Sequence, residues 1–95
     1  MKIYFALVQN SESGEYHIRR YKMIESPKKD FIPLSNDAEC GEIIDEKFTT
    51  PVSCKWTNGK MYKYFPETSM RHVCDDVGRK VCGQCVSTLY TTQSN

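Results

Sequence analysis

Residues 52–65 read Val52-Ser53-Cys54-Lys55-Trp56-Thr57-Asn58-Gly59-Lys60-Met61-Tyr62-Lys63-Tyr64-Phe65. They form two short β-like runs joined by Asn58-Gly59. Asn-Gly accommodates positive φ at both central positions of a type I′ turn and is the strongest short-range hairpin signal. A two-residue turn there sets Trp56 opposite Met61, Cys54 opposite Lys63 and Val52 opposite Phe65. Lys55 then faces Tyr62, and Ser53 faces Tyr64, on the other side. One face of the hairpin is largely apolar and the other carries two tyrosines. The stretch predicts a small β module and names no ligand.

Working outward, residues 2–9 alternate Ile3, Phe5 and Leu7 against Tyr4, Ala6 and Val8. Both sets can be buried, which suits a central strand better than an edge. Residues 10–14 (NSESG) are a polar turn with Gly for positive φ. Residues 15–25 resume as a strand through Tyr16, Ile18, Tyr21, Met23 and Ile24, with a phase slip at Arg19-Arg20 that marks a bulge or bend. Such a bend is what a small closed barrel needs. Residues 26–50 have weak periodicity and contain Pro27 and Pro33, so they read as a long irregular loop. Phe31, Ile32 and Leu34 are placed to plug one end of the barrel. Pro66 ends the hairpin's second strand. In the tail, 70–95, Val81, Val86, Thr88, Leu89 and Tyr90 have β character, and the polar residues 91–95 are expected to fray. The chain thus divides into a barrel over 1–69 and an accessory tail over 70–95.

Ninety-five residues make one small domain, and a hydrophobic content of 39% limits the core. That leaves room for a barrel of short strands but not for a large catalytic scaffold. The net charge of +1 gives no global basic field that would argue for nucleic acid. The charge is nonetheless uneven. Arg19, Arg20, Lys22, Lys28 and Lys29 cluster, and Lys55, Lys60 and Lys63 add to the hairpin. Asp37, Glu39, Glu42, Asp45 and Glu46 form an acidic segment. A solvated loop beside a basic strand explains this, as does a basic contact face for an anionic partner. The longest apolar stretch, 3–8, is far too short to cross a membrane. The N-terminus lacks the length and cleavage site of a signal peptide. An intracellular protein without membrane contact is expected, and five cysteines, an odd number, agree with a reducing compartment.

At the hairpin, Cys54, Trp56, Asn58, Gly59 and Tyr62 resemble the core hairpin of Tudor- and chromo-type domains, whose fold is an SH3-like barrel. Tyr64 departs from that pattern, which usually has Ala there. More distantly, FALVQ, a polar turn, a basic strand and PKKDFIPL are similar in order to small N-terminal modules of some invertebrate nuclear proteins, several of which carry a BEN-type DNA-binding domain that this chain lacks. The resemblance covers roughly residues 2–66. It implies an all-β, Tudor-like barrel with a long irregular loop and a cysteine-bearing tail, in a nuclear protein associated with chromatin. It also implies binding of a peptide, methylated or not, in an aromatic cage through cation–π attraction. Trp56, Tyr62 and Tyr64 are the cage candidates, with Tyr21 or Phe31 beside them. Equally, Trp56 can pack with Met61 and Phe65 as core. Arg19, Arg20, Lys22 and Lys55 complete an aromatic and basic ligand face. The alternatives are a barrel that contacts nucleic-acid phosphates through those basic residues, and a self-associating structural module.

The cysteines offer a second constellation. His72-x-Cys74 and Cys82-x-x-Cys85 supply four soft ligands within fourteen residues. A C-x-x-C turn brings two thiolates onto one tetrahedral ion, so zinc is the expected metal. Cys54 can replace His72 if the tail packs on the hairpin. Free thiols, with Cys54 as a small core residue, are the other reading. Cys82-Gly83-Gln84-Cys85 also matches the thioredoxin-type C-G-x-C, but no strand–helix–strand framework follows it. His17 and His72 are the only histidines. Each is expected on a polar strand face or beside the cysteines. No phosphate loop, apolar carboxylate pair or H-E-x-x-H motif is present, so no enzyme is expected.

Overall fold

The computed structural model describes residues 2–25 and 27–91. Strands β1 (Lys2–Gln9), β2 (Tyr16–Ile24) and β3 (Asp30–Ala38) form an antiparallel sheet in the order β1-β2-β3. β4 (Cys54–Lys55) and β5 (Met61–Tyr62) make a separate two-stranded sheet. Two helices follow, α1 (Glu67–Val77) and α2 (Gly83–Thr91), linked by a 3-10 turn at Gly78–Lys80. The protein is sheet-rich, but the strands do not close into a barrel, and the tail is helical rather than β.

The turn between β1 and β2 is built by Asn10, whose side-chain oxygen accepts the backbone N–H groups of Glu12 and Ser13. Gly14 supplies the positive φ of 76°. β1 is buried from Phe5 through Val8, on both faces of the sheet. Its outer edge is not bare. The backbones of Phe5 and Phe65 exchange two hydrogen bonds, and the N–H groups of Val52 and Thr49 reach the carbonyls of Leu7 and Gln9. These irregular segments do for β1 what a neighbouring strand would do.

Residues 30–38, expected to lie in an irregular loop, are strand β3. Ile24 pairs with Asp30 and Tyr21 with Pro33, but Arg19 pairs with Ala38. The phase slip at Arg19-Arg20 is therefore a real irregularity, with the surplus residues on β3. Phe31, Ile32 and Leu34 plug no barrel. Ile32 and Leu34 are exposed, and Phe31 stacks on Tyr64.

The helices cover one face of the sheet. Phe5, Leu7 and Ile18 pack with Met70, Val73, Val81, Cys85 and Leu89 in a single core. α1 presents Met70, Val73, Cys74 and Val77 at helical spacing, and α2 presents Cys85, Val86 and Leu89. Glu67 in the first turn of α1 suits the positive end of the helix, and Gly78 ends the helix with φ 78°. Full burial of Leu7, Ile18, Met70 and Leu89 stabilises the fold by about 1.5–3 kcal/mol each. β propensity at Val86, Thr88 and Tyr90 gave way to this packing. Of residues 91–95, expected to fray, Thr91 closes α2 and the rest lie outside the described residues.

The hairpin exists in another register. Lys55 pairs with Met61 and Cys54 with Tyr62, so Trp56 faces Lys60 and not Met61. The Gly59 N–H donates to the Trp56 carbonyl, and Gly59 alone takes positive φ, 84°. This is a type I turn followed by a left-handed glycine, a three-residue loop instead of a two-residue type I′ turn. Asn58 stays in ordinary backbone space. Its side-chain oxygen accepts the Lys60 N–H, and its amide donates to the Tyr62 hydroxyl. One added loop residue changes every cross-strand partner.

Candidate metal centre

Where β3 ends, β2 still has an edge to pair. Two later segments fill it. The chain turns through Ala38-Glu39-Cys40-Gly41, with the Gly41 N–H on the Ala38 carbonyl and Gly41 at φ 92°. This repeats the local form of the hairpin turn and leaves Cys40 at the corner. The Glu39 N–H donates to the Ile18 carbonyl. Farther along, Val81 bridges Tyr16 in parallel, and the Cys82 N–H donates to the Tyr16 carbonyl. Cys82 then starts α2, its carbonyl accepting the Val86 N–H, and Cys85 falls in the first turn. His17 on β2 lies between the two arrivals.

The result is a group of four donors, His17, Cys40, Cys82 and Cys85, whose ligand atoms all lie within 4.8 Å of one another. The Cys40 sulfur is 3.5 Å and the Cys85 sulfur 3.7 Å from His17 Nδ1. A tetrahedral zinc with Zn–S of about 2.3 Å and Zn–N of about 2.0–2.1 Å demands S···N edges of about 3.6 Å and S···S edges of about 3.8 Å. The two S···N separations meet that demand, and no separation in the group exceeds it by more than about 1 Å. The four residues can therefore hold a metal ion with small side-chain adjustments. All five cysteines are free thiols.

The electrostatics suit a cation. His17 and Cys85 are buried, at 2% and 0% exposure. Burial pushes the Cys85 thiol well above the ordinary range, so a lone thiolate there is disfavoured and a bound cation would supply the compensating charge. The N-terminal turn of α2 also favours negative charge at Cys85. His17 directs Nδ1 at the sulfurs and Nε2 at carboxylates, Glu15 at 3.1 Å and Glu42 at 4.0 Å. A carboxylate on the far nitrogen fixes the tautomer and raises the basicity of the ligating nitrogen. Of the two places expected for His17, a polar strand face or beside the cysteines, it takes the second, buried against the ring of Phe48.

Cys82 and Cys85 belong to this group, and His72 and Cys74 do not. His72 is exposed on α1, 3.8 Å from Asp76 and edge-on to Trp56. Cys74 is buried in the core, its thiol pushed up to about 12 by burial first, then by Asp75 and Cys54. Cys54, the substitute ligand, lies near Cys74 and is raised by burial.

The aromatic and basic candidates separate into two sets. Trp56, Tyr62 and Tyr64 line one groove of about 420 Å³, with Tyr4, Phe31 and Phe65. Trp56 is half-buried and packs on Phe65, while Met61 is exposed. The rings of Phe31 and Tyr64 stack at 4.0 Å, and Tyr21 meets Tyr64 edge-on. Arg20 is engaged elsewhere, in a two-pronged pair with the buried Glu39 carboxylate and over the ring of Phe5. The Arg19 guanidinium donates to the Ser35 carbonyl. Lys22 is half-buried on β2 and Lys55 is exposed. Neither Lys22, Lys55, Arg19 nor Arg20 lines the groove; Lys29 and Lys63 do.

No family model matches the chain, and no curated protein or solved structure matches it. No helix among the described residues is long and apolar enough to cross a membrane.

Proposed function

We propose that the chain is a structural-zinc domain that works as a non-enzymatic interaction module. The observation that carries this is the convergence of His17, Cys40, Cys82 and Cys85, whose ligand atoms lie within 4.8 Å of one another, with S···N separations of 3.5 and 3.7 Å for two of the sulfurs. Four protein donors fill a tetrahedral shell and leave no open position for water or substrate, the pattern of structural sites rather than catalytic ones. Three thiolates and an imidazole suit zinc better than the hard cations, which prefer oxygen. The site also ties together what the fold keeps apart in sequence: β2, the turn after β3, and α2. In a core this small such a staple stabilises the whole domain.

The interaction surface is the aromatic groove on the hairpin side. Lys29 and Lys63 line it, and no acidic residue does among the described residues. That charge weighs against a methyl-ammonium guest and favours an anionic one. The test is native mass spectrometry of protein purified without chelator. One zinc per chain, lost on chelation together with protection of the α2 backbone amides from exchange, is the expected result. A metal-free protein whose amide exchange is unchanged by added zinc would overturn the reading.

A further inference from the structure

The groove beside the hairpin has features that the metal centre does not explain. Tyr62 is 40% exposed, yet its hydroxyl is held by the Asn58 amide at 3.1 Å. That hydrogen bond joins two exposed side chains. Phe31 and Tyr64 lie nearly parallel, 7° apart, and Tyr4 braces Phe31 edge-on. The groove wall is therefore a set of ring surfaces in contact with one another rather than an aliphatic patch. Lys29 and Lys63 line it, both exposed. Among the described residues the one lysine in an ion pair is Lys47, at the other end of β1. Asp30 follows Lys29; its carboxylate accepts the Phe31 backbone N–H, and its charge, after burial, helps to raise the Tyr64 phenol, so it offsets part of the lysine charge there.

Aromatic rings bind flat π systems by stacking, and compact ammonium groups bind phosphate as point charges. We infer that this groove binds single-stranded nucleic acid, with bases stacked on the Trp56, Tyr62 and Tyr64 side and phosphates met by Lys29 and Lys63. Every base has a π face, so the site is tolerant of sequence. A cationic peptide is repelled by the lysines, and an acidic peptide uses the lysines but has no need of a wall of aromatic rings. The inference rests on the reading of the chain as an interaction module and names its ligand; it does not depend on which ion fills the metal centre.

Trp56 is the single tryptophan, so its fluorescence reports directly on the groove. Zinc-loaded protein is titrated with oligothymidylate, oligouridylate and a polyglutamate peptide over a range of salt. Quenching of Trp56 by the oligonucleotides and not by polyglutamate is expected, and the DNA and RNA arms show which sugar is preferred. Tyr62→Ala should weaken binding by about five- to a hundredfold. Lys29→Gln and Lys63→Gln should each flatten the log–log salt slope by about 0.7. Lys47→Gln should change neither quantity. Zinc content and circular dichroism of the same samples establish that each variant is folded. Absence of oligonucleotide binding at low salt by folded, zinc-loaded protein would overturn the inference and leave the metal reading intact. Equal binding of polyglutamate with the same response to the variants would overturn it in favour of an acidic peptide.

Discussion

Glu15→Ala removes a carboxylate that touches no sulfur, and it tests whether His17 is oriented as a ligand. The Glu15 oxygen is 3.1 Å from His17 Nε2, while Glu42 stands farther off at 4.0 Å. A hydrogen bond to a charged group contributes about 1.5–3 kcal/mol when well shielded. Glu15 is half exposed, so water screens part of this, and Glu42 can take over some of the role. A loss of about 1–2 kcal/mol is reasonable on these grounds, which is about five- to thirtyfold in zinc affinity and agrees with the usual effect of such outer carboxylates. The backbone contacts of Glu15, from Asn10 and to Ser13, do not involve the removed carboxylate. The assay is competition for zinc with a chromophoric chelator at neutral pH. Glu12→Ala is the control, because the Glu12 carboxylate pairs with Lys47, at 4.0 Å, and its backbone N–H bond to Asn10 survives the change. An affinity within twofold of the parent for both Glu15→Ala and the Glu15→Ala, Glu42→Ala double variant would refute the assignment of His17 as an oriented ligand.

Two further outcomes follow from the fold. Gly59→Ala should destabilise the domain by about 1 kcal/mol, since Gly59 sits at φ 84° where a Cβ is strained, although nothing lies within 4 Å of that Cβ; a urea midpoint equal to the parent's would contradict the observed turn. Cys74 binds its proton more tightly folded than unfolded, its thiol raised from 9.0 to about 12, so the stability it contributes is intact below pH 9 and declines between pH 9 and 12, at most about 1.4 kcal/mol per pH unit. Urea denaturation at pH 8 and pH 10 should show that decline in the parent and a weaker one in Cys74→Ala.

Much of the β half was legible in local chemistry. The alternation at 2–9, the turn glycine at Gly14 and the slip at Arg19-Arg20 each correspond to an observed feature. The Asn58-Gly59 signal located a turn but not its length, because Asn-Gly also fits a type I turn closed by a left-handed glycine. The helices left a trace that β propensity obscured. Met70, Val73, Cys74 and Val77 recur at i, i+3, i+4 and i+7, as do Cys82, Cys85, Val86 and Leu89. Hydrophobic period outweighed the β-branched composition of 86–91 once a sheet face was available to cover.

At the metal centre, the Cys82-x-x-Cys85 spacing is local and readable. His17 and Cys40 are not, because long-range strand pairing brings them to α2 from 68 and 42–45 residues away in sequence. One clue existed. Cys40-Gly41 stands in a polar stretch as a turn dipeptide, like Asn58-Gly59, and a cysteine on a tight turn is well placed to present its sulfur outward. The basic run at Arg19 and Arg20 gave no hint of their partners, since the Ser35 carbonyl and the Glu39 carboxylate reach them only once β3 packs alongside.

The most direct measurement of the central claim is the visible absorption of the cobalt-substituted protein. Cobalt(II) replaces zinc in thiolate sites and reports both geometry and sulfur ligation. One equivalent should produce the intense ligand-field bands of a tetrahedral ion together with thiolate charge-transfer absorption. Added zinc should then bleach them. His72→Ala should leave the spectrum unchanged, and His17→Ala should shift or abolish it. A weak octahedral spectrum, or a tetrahedral one that depends on His72 and not on His17, would contradict the account.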